Sequence, residues 1–169
     1  MRFLILFIFL ITNAAGKELP EIKNIVIHKD LKTYDNLIFL DKNGQKIDIK
    51  NFKEKLVLLN FWATWCEPCK EEMPSLDRLQ NSLQFNNLKI FVINISQENL
   101  EKVNDFLEEL NIKNLEPYFD SPITLAKKLS LRGVPTSILF NTDGKEFARI
   151  IGSIDFEDLK FIEWLKNYD

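Results

Sequence analysis

Leu56-Val57-Leu58-Leu59-Asn60-Phe61-Trp62-Ala63-Thr64-Trp65-Cys66-Glu67-Pro68-Cys69-Lys70 is the stretch from which the rest of this chain can be read. Leu56 to Phe61 is a nearly continuous apolar run, the pattern of a central strand covered on both faces. From Pro68 to about Phe85, Met73, Leu76, Leu79 and Leu83 recur at helical spacing. Ile90-Phe91-Val92-Ile93-Asn94-Ile95 is a second buried-strand run, so the three segments form a βαβ crossover. Cys66 and Cys69 therefore stand where a strand hands over to a helix.

On the N-terminal side, Leu37 to Leu40 and Lys46 to Ile49 flank Asp41-Lys42-Asn43-Gly44, and the Asn-Gly dipeptide predicts a hairpin. Residues 17–36 have no firm period and are expected to be a lead-in, with an edge strand at most. On the C-terminal side, Leu100, Val103, Phe106, Leu107 and Leu110 mark an amphipathic helix, and Pro117-Tyr118-Phe119 a short strand. Ser121-Pro122 predicts an N-cap with proline at the first helical position, opening a helix to about Leu129. Ser137 to Phe140, the Asn141-Thr142-Asp143-Gly144 turn and Phe147 to Ile151 predict a second hairpin. Asp155 and Asp158 are expected to cap a last helix with Phe156, Leu159, Ile162 and Leu165 on one stripe.

The chain has 169 residues, 46% hydrophobic and 28% charged, which suits one compact domain. Lys and Arg number 22 against 25 Asp and Glu, a formal charge of −3, and no basic block argues for nucleic acid as a partner. Met1-Arg2, the apolar Phe3 to Ile11 and the small residues around Ala14-Ala15-Gly16 read as a secretory signal over residues 1–16. The apolar run is too short for a spanning helix, which needs about 20 residues, so an uncleaved membrane anchor is the weaker expectation. Outside the cytoplasm, thiols are driven to disulfides, and the two cysteines become informative.

At a helix N-terminus the free N–H groups and the positive dipole end stabilise an anion. Cys66 is thus expected to ionise below the free-thiol value of ~8.5 and to act as nucleophile. Cys69, one turn inward, is placed to resolve the mixed disulfide. Glu67 puts a negative charge between the cysteines, opposes thiolate accumulation and favours an electron donor, with a potential below the ~−180 mV of protein disulfide isomerase. Two other readings stand beside this one. Structural zinc usually needs four Cys/His ligands, whereas the chain has two cysteines and His28. A purely structural disulfide across so short a loop constrains little chain entropy.

Val134-Pro135 precedes a strand, where a strand-start proline is tolerated, and Arg132-Gly133-Val134-Pro135-Thr136 also resembles the cis-proline loop of the thioredoxin fold. With F-W-A-T-W-C-E-P-C and Met73-Pro74, it makes the chain resemble the extracytoplasmic thioredoxin-like reductases of the TlpA/ResA type, from about Leu37 to Leu165. The resemblance implies an α/β thioredoxin fold over residues 37–169: a central mixed β-sheet flanked by helices, with an N-terminal β-hairpin and a central αβ insertion. It implies thiol–disulfide exchange with no cofactor beyond the Cys66–Cys69 disulfide, reduction of oxidised protein thiols such as apocytochrome c, and a periplasmic location. A membrane-embedded thiol-reductant transporter would be the electron donor.

Residue by residue, the resemblance makes Pro135 the cis-proline opposite the cysteines. Val134 would offer its backbone to an extended substrate segment. Pro74 would bend the active-site helix. Trp65 would shield the disulfide, with a core aromatic as the alternative. Trp65, Glu67, Pro68, Val134 and Pro135 are then the expected substrate-facing set. Glu72, at i+3 from Cys69, matches an acidic position that relays protons near the thiols, with a plain surface glutamate as the alternative. Asn60 departs from thioredoxin itself, which keeps a buried aspartate there, and this shifts weight toward Glu72. His28 is assigned no role.

Other functions on this fold are a general disulfide oxidase or isomerase, which Glu67 opposes, and copper delivery. No histidine follows Cys69, so copper would have only two soft ligands. A thiol peroxidase would need a lone peroxidatic cysteine, and the chain has none outside the pair.

Overall fold

The computed structural model describes residues 24–169; the expected signal segment and the start of the lead-in lie outside the described residues. Thirteen elements follow in order: strands β1 (Ile25–Lys32), β2 (Ile38–Leu40) and β3 (Lys46–Asp48), a 3-10 turn at Ile49–Phe52, β4 (Leu56–Trp62), helix α1 (Glu67–Gln80), β5 (Leu88–Asn94), α2 (Leu100–Glu109), β6 (Pro117–Phe119), α3 (Leu125–Lys128), β7 (Thr136–Phe140), β8 (Glu146–Ile151) and α4 (Leu159–Lys166). All eight strands share one sheet in the order β1-β8-β7-β4-β5-β6-β2-β3. β4 lies at its middle, parallel to β5 and antiparallel to β7, so the sheet is mixed. The lead-in supplies β1, an edge strand antiparallel to β8.

Every residue of β4 is buried, as the unbroken apolar run requires. Side chains alternate across the sheet, and the two faces are correspondingly different. Leu56, Leu58 and Trp62 pack with Met73, Leu76 and Leu79 of α1, Val103 and Phe106 of α2, and Phe161 and Leu165 of α4. Val57, Leu59 and Phe61 pack on the opposite face with Phe39, Ile49, Phe91, Leu125 and Phe140. Removing one such fully buried leucine costs about 2–5 kcal/mol. The same alternation turns Asn60, the one polar residue of β4, toward α1.

Three local expectations are corrected. The helix after the cysteines ends at Gln80 and not near Phe85: the Asn81 N–H folds back onto the carbonyls of Arg78 and Leu79, and Leu83 is fully solvent-exposed. Ser121 is not a helix cap. The Ser121–Pro122 bond is cis, and α3 begins only at Leu125. Its first N–H groups are taken by the Asp120 carboxylate, which accepts from Thr124, Leu125 and Ala126 at 2.7–2.9 Å. In α4, Asp158 caps the helix by accepting from the Phe161 N–H at 3.0 Å, which starts the helix late. The buried stripe is therefore Phe161, Ile162, Trp164 and Leu165, while Leu159 is exposed.

Candidate active site

The site lies beyond the carboxyl ends of the parallel strands β4 and β5, where loops leave a sheet without burying unpaired backbone. β4 ends at Trp62. The chain then makes a tight turn closed by the Cys66 N–H donating to the Ala63 carbonyl at 3.1 Å, with Thr64 and Trp65 at its centre. Cys66 is the N-cap of α1 in extended conformation, and its carbonyl accepts from the N–H groups of Cys69 at 3.1 Å and Lys70 at 3.3 Å. Pro68 sits in the first turn, where its missing N–H costs nothing.

Cys66 and Cys69 are joined by a disulfide, their Cα atoms 5.3 Å apart. Both are buried, in the layer between α1 and the sheet. Glu67 and Pro68 between them are exposed. Trp65 is 69% exposed, which removes the core-aromatic alternative. The Val134–Pro135 bond is cis, as the family resemblance implied. Pro135 is buried and its carbonyl accepts from the Gly152 N–H at 2.9 Å, while Val134 is half-buried. Pro74 interrupts the hydrogen-bond ladder inside α1.

Glu72 is not a surface glutamate: it is 2% exposed, on the face of α1 that meets the sheet. Residues three apart on a helix lie on one side of it, so Glu72 sits one turn behind Cys69. Its Oε1 accepts from Asn60 Nδ2 at 2.7 Å, and the same amide nitrogen donates to Ser137 Oγ at 3.0 Å. Glu72 Oε2 and Asn60 Oδ1 have no hydrogen-bond partner. Burial disfavours the carboxylate and pushes Glu72 up to about 7, against the weaker opposing pull of the Asn60 amide and the Ile154 backbone N–H. A cavity of about 470 Å³ opens beside it, lined by Glu71, Glu72, Pro74 and Ser75 of α1 and by Ser153 to Asp155 after β8. The arrangement provides a disulfide at a helix N-terminus, an exposed aromatic beside it and a buried carboxyl one turn behind it.

Some neighbours of the site were not visible in the sequence. Ser137 reaches Asn60 from β7 and the Ser153–Ile154 segment flanks Glu72 from beyond β8, and neither stretch carries a motif. The Ser96–Glu98 loop touches the turn through Thr64. The only available signal was its place after the second buried strand, at the same sheet end as the cysteines. Among the described residues, no group of three or more His, Cys, Asp and Glu side chains is placed to hold a metal ion.

The Redoxin family profile matches residues 14–160. A thiol-disulfide oxidoreductase ResA of Bacillus thuringiensis subsp. konkukian is 33% identical over 135 residues, covering 80% of this chain and 76% of the relative. Sporulation thiol-disulfide oxidoreductase A of Bacillus subtilis is 33% identical over 131 residues, covering 75% and 77%. The crystal structure of StoA from Bacillus subtilis superposes with a TM-score of 0.62 at 32% identity, over 75% of this chain and 95% of that one. A secreted thiol-disulfide isomerase from Corynebacterium glutamicum shares the fold with a TM-score of 0.70 at 18% identity, over 88% and 95%. A disulfide at the head of α1 and a thioredoxin-fold sheet agree with these relatives, and the chain belongs to the Redoxin family as a thiol-disulfide oxidoreductase.

Proposed function

We propose that the protein works as a reductant of disulfides in other proteins outside the cytoplasm, with Cys66 attacking and Cys69 resolving. The observation that carries the exchange step in this reading is Glu72: a buried carboxyl with a single side-chain donor, raised to about 7, one helical turn behind Cys69. In the reduced protein the Cys66 thiolate attacks a substrate disulfide; a Cys66–substrate S–S bond forms and the first substrate sulfur leaves as thiolate. The Cys69 thiol passes its proton to the Glu72 carboxylate and attacks Cys66 Sγ. The Cys66–Cys69 bond forms, and the second substrate sulfur leaves. Two electrons have moved to the substrate, whose two thiolates take protons from Glu72 and solvent. An external dithiol then returns two electrons and two protons, one of which stays on Cys69 while the other passes to solvent as the Cys66 thiolate re-forms.

The reducing direction rests on Glu67, whose exposed charge beside Cys66 disfavours the dithiol form and lowers the potential. Val134, next to the cis-Pro135 bond, is the proposed backbone partner of an extended substrate segment, with Trp65, Glu67 and Pro68 along the same rim. Apocytochrome c is the proposed substrate class and a membrane-embedded thiol transporter the proposed donor, on the resemblance to the ResA proteins. Secretion is proposed from the apolar start of the chain; among the described residues no helix is long and apolar enough to cross a membrane.

Two measurements test the reading. A thiol-redox titration is expected to give a potential below ~−180 mV, and one near ~−120 mV would make the protein an oxidant. A Cys69→Ala variant, unable to resolve, is expected to trap apocytochrome c as a mixed disulfide. Trapping of many unrelated secreted proteins would mark an isomerase.

A further inference from the structure

The turn that carries Trp65 is tied to a second loop by a carboxylate for which the reaction above has no use. Thr64 Oγ donates to Glu98 Oε2, and the Ser96 hydroxyl lies 2.6 Å from that same oxygen and 2.6 Å from Asn94 Oδ1. Lys102, four residues on along α2, bonds Glu98 Oε1. Burial works against the Glu98 charge, but the donors from Lys102, Ser96 and Thr64 outweigh it and hold the carboxyl below its usual range. The loop is built to present this group. The Ile95 N–H continues the parallel ladder by donating to the Trp62 carbonyl at 3.0 Å, and Gln97 then adopts φ +57°, a left-handed conformation rare outside glycine. Strained backbone of this kind persists where surrounding structure fixes it and clusters at functional sites.

Trp65 is mostly in solvent, so side-chain packing fixes little of its position. What fixes it is the backbone of the Ala63–Cys66 turn, closed by one hydrogen bond and held at Thr64. We propose that Glu98 is a positioning residue that, through Thr64, holds the Trp65 turn in the posture a protein substrate meets on its way to Cys66. The inference rests on the proposed reduction of protein disulfides and adds the residue that sets the approach. Glu98 touches neither sulfur, so its effect falls on how a polypeptide seats across Trp65 more than on the exchange itself.

The test compares two disulfides reduced by the dithiothreitol-reduced, full-length protein: a synthetic peptide with one intramolecular disulfide in an extended segment, and the small aromatic disulfide dithiobis(nitrobenzoate). Glu98→Ala and Thr64→Val are each expected to lower kcat/KM on the peptide by about three- to tenfold, the factor one net hydrogen bond is worth, mainly through KM. The loss on the small disulfide is expected to be smaller. The double variant should do no worse than either single one, because both remove the same tether. Glu98→Gln keeps an oxygen for Thr64 and is expected to restore most of the peptide activity, even if Glu98→Ala fails to fold. Equal losses on both substrates, additive losses in the double variant, or no rescue by glutamine would overturn the inference. A wild-type protein that reduces the small disulfide but not the peptide would instead overturn the reading of its substrate class.

Discussion

Glu72 and Glu146 are both out of water, at 2% and 0% exposure, yet their surroundings drive them in opposite directions. Glu146 opens β8 and is surrounded by donors. Arg149 forks onto it with Nε at 2.5 Å and Nη2 at 2.9 Å, Tyr34 OH donates at 2.7 Å, and His28 Nε2 bonds the same carboxylate. Arg149 in turn donates to the Leu129 carbonyl at 2.7 Å and to Tyr34 OH at 3.0 Å. Burial alone would raise Glu146, but these donors outweigh it and hold the carboxyl below the usual range. Glu72 has one neutral side-chain donor and a bare Oε2, so burial wins and it sits at about 7. Neither carboxyl meets water, but Glu72 lies deeper in the protein than Glu146, which adds to the difference the donors make. The number and charge of the donors decide whether a buried carboxyl is a fixed anion tying strands together or a proton carrier.

Substitution at Glu146 should separate the two most sharply. Glu146→Ala leaves the half-buried Arg149 guanidinium without its carboxylate and is expected to cost about 3 kcal/mol in denaturant unfolding, with β1 losing its His28 anchor. A loss under about 1 kcal/mol would put Glu146 in the same class as a surface ion pair.

The next effect has the opposite sign. Glu72 is raised from 4.5 to about 7 on folding, so its stabilising contribution is whole below pH 4.5 and is lost as the pH climbs to about 7. The loss amounts to about 3 kcal/mol. Glu72→Gln cannot ionise, so its stability relative to the parent is expected to rise by about that amount between pH 4 and pH 8. The same variant should lose the inflection near pH 7 in the rate of disulfide reduction; an unchanged profile removes Glu72 from the proton path.

For Glu146 the sign reverses again. Its carboxyl is depressed in the fold, so its contribution holds above the unfolded value of 4.5 and disappears as the pH falls through the folded one. Acid unfolding of Glu146→Gln should therefore be flatter than that of the parent over that range. The smallest effect is expected at Ser137→Ala, which takes one acceptor from the Asn60 amide and should cost about 1 kcal/mol or less, measured by thermal melting.

The two glutamates also mark what a sequence can disclose. Glu72 stands out because the family resemblance marks an acidic position at this spacing from the cysteines, inside one helix; spacing alone fits a surface glutamate as well. Glu146 carries no such mark: Arg149 stands three residues on but outside any motif, and Tyr34 and His28 lie 112 and 118 residues away, where no periodicity links the positions. His28 was left without a role for the same reason. β4, β5 and α1 were legible because burial on both faces, or along one stripe, writes a period into the residues. Leu83 and Leu159 misled, since an apolar residue at the right spacing says nothing about where the backbone has already turned away. Ser121-Pro122 has the composition of a helix start, but the capping carboxylate came from Asp120. The turn bearing Trp65 was visible, whereas the tether at Glu98 depends on two loops meeting at one sheet end.

The pairing of β1 with β8 aligns Ile25 with Ile150 across the chain. The first described strand to leave the ribosome must therefore wait for nearly the whole polypeptide before it finds its neighbour. β4, α1 and β5 are contiguous and can assemble around the dithiol turn well before then. The dithiol turn thus needs only contiguous chain to form, whereas Val134, Pro135 and Ser137 join the site with β7 and the sheet margin closes only with β8.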